Sequence, residues 1–133
     1  VRVFSLQKGT AAEQLQSRRS RRAVTDLGSS LDEQSGAFME TAAVMKNLDL
    51  VISSDTSIAH LAGALGVPVW VVLPFIPDWR WLLDRTDSPW YPTARLFRQT
   101  KMDDWEGVVR EMADALASAA RRPGTDHNLR CMA

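Results

Sequence analysis

Two short stretches of this chain carry residue types suited to holding negative charge. The first is Ser53-Ser54-Asp55-Thr56-Ser57, between an apolar run at 50–52 and a small-residue segment at 58–65. Read as strand, turn and helix, it gathers hydroxyls and helix-opening N–H groups at the carboxyl end of a strand. Open parallel sheets bind ligands at that edge, and helix N-termini favour anions. The Thr56 and Ser57 amides and hydroxyls therefore suit a diphosphate, with the helix dipole assisting. As a purely structural feature, the same residues cap the helix. A carboxylate beside phosphate would repel it, so Asp55 organises the turn or meets ligand hydroxyls. His60 shares the Thr56 face by its i, i+4 spacing and otherwise reads as a packed helical histidine. The second stretch is Lys8-Gly9, directly after the run 1–6. A flexible ammonium there suits phosphate as a point charge; alternatively it is a solvated turn lysine. Together the two stretches point to a phosphate-bearing ligand.

These residues need a scaffold, and the surrounding pattern supplies one. Strands are expected at 1–6, 23–27, 50–53, 69–73 and 94–98, the last at an edge. Helices are expected at 11–21, 36–47, 58–65 and, briefly, 78–83, with a last one after Asp103. Thr10 with Glu13, and Asp103 with Glu106, have capping-box spacing. Gly66 and Pro68 end the helix before the fourth strand, since glycine accepts the left-handed cap and proline cannot continue a helix. Alternating strands and helices predict an α/β fold: a Rossmann-like, doubly wound parallel sheet of about five strands. The expected order is 3-2-1-4-5, with the crevice under the turns at Lys8 and Asp55. Residues 1–120 form the domain, and 121–133, rich in Pro, Gly and Asn, read as a loose tail.

Composition narrows the partners. Sixteen basic and sixteen acidic residues cancel, so no global field recruits nucleic acid. The run Ser17-Arg18-Arg19-Ser20-Arg21-Arg22 reads as a solvated helix end rather than a nucleic-acid contact. No apolar run approaches the roughly 20 residues of a membrane helix. The single Cys131 permits no internal disulfide, which fits a reducing, cytoplasmic setting. No metal-ligand spacing appears, and neither metal nor cofactor is expected. The start inside a strand, without methionine, suggests a piece of a longer protein. Residues 74–92 hold Trp79, Trp81 and Trp90 with Tyr91, Arg80 and Arg85. So long and aromatic a loop is either a cap buried on the sheet edge or a surface meeting a second domain or a sugar.

The segment AVMKNLDLVISSDTSIAHLAGALGVPVWVVLPFIPDWRWLLDRTDSPWYPTARLFRQ resembles the C-terminal glycosyltransferase-like region of tetratricopeptide-repeat proteins. Those proteins are similar to glycosyltransferase family 9 (the heptosyltransferases) and, more distantly, to O-linked N-acetylglucosamine transferases. The opening VRVFSLQKG resembles the first strand of that region. The resemblance spans about 1–118 and implies the C-terminal half of a GT-B architecture, binding a nucleotide-diphospho-sugar donor. Its D-T-G-x-x-H diphosphate segment corresponds to Asp55, Thr56, Ser57 and His60. Ser57 stands where that pattern has glycine, and its side chain narrows the approach of backbone to phosphate. Lys8 matches the phosphate lysine loosely. Base and ribose contacts are implied near Asp32, Phe38 and Met39. The catalytic base is implied in an N-terminal domain that this chain lacks, so the chain alone binds without turnover. The implied partners are that N-terminal domain and the tetratricopeptide repeats. Two other readings stay open. One is a non-catalytic interaction domain attached to such repeats. The other is an unrelated doubly wound domain such as a receiver, which Gln7-Lys8 disfavours because an acidic cluster belongs at that place.

Overall fold

A computed structural model describes residues 1–16, 23–121 and 130–132. The expected helix end at 17–21, with its arginine run, lies outside the described residues. Among the described residues six strands form one parallel sheet: β1 (Arg2–Ser5), β2 (Val24–Asp26), β3 (Leu50–Ser54), β4 (Val69–Leu73), β5 (Ala94–Arg98) and β6 (Arg130–Met132). Their spatial order is β2-β1-β6-β3-β4-β5. The α/β, Rossmann-like class is the expected one. The order 3-2-1-4-5 is corrected: the third strand lies inside the sheet, not at its edge. The chemistry of the strands explains why. Interior parallel strands are covered on both faces and need apolar residues, as Leu50-Val51-Ile52 has. Thr25 and Asp26 are exposed and suit an edge. The loose-tail expectation is corrected over 130–132, which pair with both β1 and β3.

The core sits on β3, β4 and β5. Val51, Val69, Val71, Leu73 and Phe97 have no exposed surface, and Trp81 from the loop after β4 joins them. Among the described residues three α-helices accompany the strands: α1 (Met39–Met45), α2 (Ser57–Ala64) and α3 (Trp105–Ala120). Helix α2 is seated by the buried Ala59, Ala62 and Gly63. No helix of the described residues is long and apolar enough to cross a membrane.

Three local expectations change. The segment after β1 is a 3-10 helix that already starts at Gly9, so Thr10 lies within it and is not its cap. Helix α1 starts at Met39 rather than near residue 36, because Phe38 adopts a left-handed φ of 65° that cannot extend the helix. Helix α3 is capped by Asp104, whose carboxylate accepts the Gly107 N–H at 3.1 Å, and not by Asp103. Asp103 instead takes a φ of 63° and turns the chain into the helix. Neighbouring aspartates are equally good caps on residue type; backbone conformation chooses between them.

Candidate functional site

The chain leaves β1 outward to β2 and returns past β1 to β3, so the turns after β1 and β3 open on the same sheet edge. A cavity of about 700 Å³ lies there, within the usual range for small-molecule sites. Leu6, Gln7 and Lys8 line it from the end of β1; Asp32, Ala37, Phe38 and Thr41 from the approach to α1. Ile52, Ser53, Ser54, Thr56, Ser57 and Ile58 line it from β3 and the start of α2, and Val72 from β4.

Close backbone approach makes this junction possible. A Cβ on Gly28 would stand 2.1 Å from the Gln7 carbonyl oxygen, so only glycine lets the end of β2 press on the turn that carries Lys8. The Leu27 N–H donates to the Ser5 carbonyl at 2.9 Å in the same place.

Helix α2 begins at the cavity with Thr56 as its N-cap residue, extended at φ −138°. Its side chain makes no capping hydrogen bond to the helix. The Thr56 hydroxyl is instead 3.0 Å from the Ser53 hydroxyl. Orphan N–H groups at a helix start need an acceptor, and the partial positive charge there favours an anion. The purely structural reading of Thr56, a side-chain cap on the helix, is therefore not what the geometry has.

Asp32 caps α1 from eight residues upstream. Its Oδ1 accepts the Glu40 N–H at 2.8 Å and the Thr41 N–H at 3.1 Å, and its Oδ2 accepts the Thr41 hydroxyl at 2.5 Å. In return Glu40 Oε2 accepts the Asp32 N–H at 2.5 Å, a reciprocal box closed around the loop. Lys8 Nζ stands 3.6 Å from Asp32 Oδ2 and donates to the Leu31 carbonyl. The Thr41 hydroxyl above all holds the Asp32 carboxyl below its ordinary pKa; burial, the next largest effect, opposes it, and the Thr41 and Glu40 N–H groups and Lys8 add smaller lowering effects.

The structure thus gathers Lys8, Asp32, Phe38, Thr56 and Ser57 around one cavity. It does not bring the remaining three to the lining. Met39 is 63% exposed beside Phe38. Asp55 Oδ1 is 3.5 Å from His60 Nε2, and His60 Nδ1 is 3.0 Å from the Tyr91 hydroxyl. The His60 ring also stacks on Trp81, with centroids 5.2 Å apart and planes 19° from parallel. His60 therefore joins α2 to the aromatic loop, with Asp55 against its other ring nitrogen. That loop divides: Trp81 is fully buried, while Trp79 and Trp90 are 70% and 57% exposed. Ser53, Ser54 and Thr41 line the cavity without being expected site residues. For Ser53 and Ser54 the sequence holds a signal, since both sit at the carboxyl end of β3. For Thr41 it holds none, because its place depends on the loop folding back.

Fold and cavity together define a Rossmann-like domain with a cavity at the carboxyl edge of its sheet. The profile of glycosyltransferase family 9 (heptosyltransferase) matches residues 36–72. That segment is glycosyltransferase-like, and it includes every cavity-lining residue except Leu6, Gln7, Lys8 and Asp32. Protein FlbA of Caulobacter vibrioides (strain ATCC 19089 / CIP 103742 / CB 15) is 33% identical over 81 residues, 61% of this chain. The chain spans 13% of the length of that curated relative. No solved structure matches the chain.

Proposed function

We propose that this domain binds the donor of a glycosyltransferase, a nucleotide-diphospho-sugar, with the diphosphate between Lys8 and the start of α2. The observation that carries this reading is the shared cavity: the Lys8 side chain and the uncapped Thr56–Ser57 helix start line the same space. An ammonium and a helix N-terminus are the two groups that a developing diphosphate charge needs, in a site that is already organised. Phe38, half-exposed at the cavity, offers a face for the base. His60, with Asp55 against it, acts at one remove, fixing α2 against the aromatic loop.

In this reading the domain is the C-terminal half of a GT-B enzyme in the cytoplasm. The general base that activates the acceptor hydroxyl lies in an N-terminal domain, and tetratricopeptide repeats belong to the same parent protein. The chain by itself binds donor and transfers nothing. A thermal-shift and calorimetric panel of UDP, GDP, ADP and CMP sugars tests it, repeated with Lys8→Ala and Thr56→Ala. Binding of one nucleotide class, lost in both variants, supports the reading; a silent panel removes it. A non-catalytic interaction domain is the second reading, favoured by the exposed Ile76, Trp79 and Leu83 after β4.

A further inference from the structure

We propose that Asp32 is a positioning residue: its carboxylate holds the Lys8 ammonium at the phosphate end of the cavity and takes no ligand hydroxyl itself. The inference rests on the donor-site reading above and replaces the expectation that Asp32 meets the ribose.

The number of acceptor sites carries it. A carboxylate offers about four lone-pair sites. At Asp32 the Glu40 N–H, the Thr41 N–H and the Thr41 hydroxyl occupy three of them, and Lys8 Nζ, 3.6 Å from Oδ2, stands over the fourth as an ion pair. A ribose hydroxyl would have to displace one of these donors or come between Oδ2 and the ammonium. Three of them hold the first turn of α1, and freeing the two amides would leave orphan N–H groups at a helix start. The fourth is the lysine that the phosphate needs.

Lys8 is described from the other side by the same geometry. Its ammonium has three protons. One goes to the Leu31 carbonyl, and the Asp32 carboxylate holds the ammonium by charge at 3.6 Å, so donor capacity is left for a ligand. The Asp32 side chain is 7% exposed and that of Lys8 49%, so the cation is the more accessible partner. A lysine loses much rotamer freedom when it is fixed. Fixing it before the ligand arrives removes that cost from binding.

The experiment uses the whole chain with Asp32→Asn, Lys8→Ala and the double variant. Asparagine caps helices as well as aspartate does, so α1 keeps its cap while the charge is lost. If Asn does not support folding by circular dichroism, Asp32→Ser, also a good cap, takes its place. The first readout needs no ligand. Acetic anhydride labels Lys8, Lys46 and Lys101, the three lysines of the chain, and mass spectrometry reads each. Asp32→Asn is expected to speed labelling of Lys8 alone; equal labelling in wild type and variant overturns the proposal.

The second readout is affinity for pyrophosphate and for UDP, GDP, ADP and CDP. Asp32→Asn is expected to weaken pyrophosphate and the preferred nucleotide by the same factor, about two- to fivefold, the scale of an exposed ion pair. In the Lys8→Ala background it should have no further effect. Loss of nucleotide affinity with pyrophosphate unchanged would make Asp32 a ribose acceptor and overturn the proposal. Tighter binding of both would make it a competitor for Lys8 and overturn the proposal equally. If wild type binds none of these probes, the donor-site reading fails, while labelling still decides whether Asp32 holds Lys8.

Discussion

His60 and Tyr91 meet at 3.0 Å, ring nitrogen to phenolic hydroxyl, across 31 residues of chain. The contact exists because Gly63, one turn after His60 on α2, has no side chain. A Cβ there would stand 2.4 Å from the Tyr91 ring. The aromatic loop is thus seated on α2 by one glycine, one hydrogen bond and the stack of His60 on Trp81.

Gly63→Ala should destabilise the domain by about 1–3 kcal/mol, the usual cost of overpacking. Helix propensity alone would favour alanine by about 1 kcal/mol. Urea denaturation separates the two: a more stable variant would mean that Tyr91 moves aside freely.

His60→Ala should lower stability yet leave pyrophosphate affinity within about twofold, as for independent sites. The reason is position: His60 lies with Asp55, Tyr91 and Trp81, not on the cavity lining. A large loss of affinity in calorimetry would put the ring on the ligand instead.

Trp81→Ala should cost about 3–5 kcal/mol, as for a large aromatic removed from a core. Trp79→Ala should change stability by no more than about 0.5 kcal/mol, as for an exposed position. Their burial, none exposed against 70% exposed, makes the pair a direct test of how the loop is folded.

Gly28→Ala should disturb the site from a distance. Its Cβ would meet the Gln7 carbonyl at 2.1 Å, and backbone cannot swing away as a side chain can. Weaker pyrophosphate binding is expected along with a lower Tm, because the displaced turn carries Lys8. A variant with a lower Tm but unchanged binding would separate Gly28 from the site.

Acid should unfold the protein partly through Asp32 and Asp87. Both carboxyls are held below the ordinary value of 3.8, Asp32 chiefly by the Thr41 hydroxyl and Asp87 chiefly by Arg85. The unfolded chain therefore binds protons more readily than the folded one, and stability rises with pH through that range. The contribution is complete above about pH 4–5 and is lost as pH falls through the lower folded values. Asp32→Asn and Asp87→Asn should each flatten the acid limb of a stability-against-pH curve; unchanged limbs would remove these two groups as a cause of acid unfolding.

Sequence patterns located β4 and β5 to the residue, β4 because a buried parallel strand is a uniform apolar run, and β5 because an edge strand mixes apolar residues with charged ones such as Arg95 and Arg98. They also located the β3–α2 junction and its Thr56–Ser57 corner, since hydroxyls before a small-residue helix are a local signal. With Asp103 and Asp104, two caps of the same residue type, the spacing to Glu106 favoured Asp103, and the left-handed φ of Asp103 gave the cap to Asp104.

What residue order determined by itself was the alternation of elements and the chemistry of two separate turns, because propensity, capping and polarity act over a few residues. Tertiary structure alone decided strand order, and that His60 stands away from the cavity lined by Lys8 and Thr56. It also decided that Asp32 is spent on Lys8 and α1. Those relations depend on which strands pair and which loops fold back. Such pairings are set by the burial of whole faces and by close contacts such as Gly28 on Gln7, which no short stretch of sequence encodes.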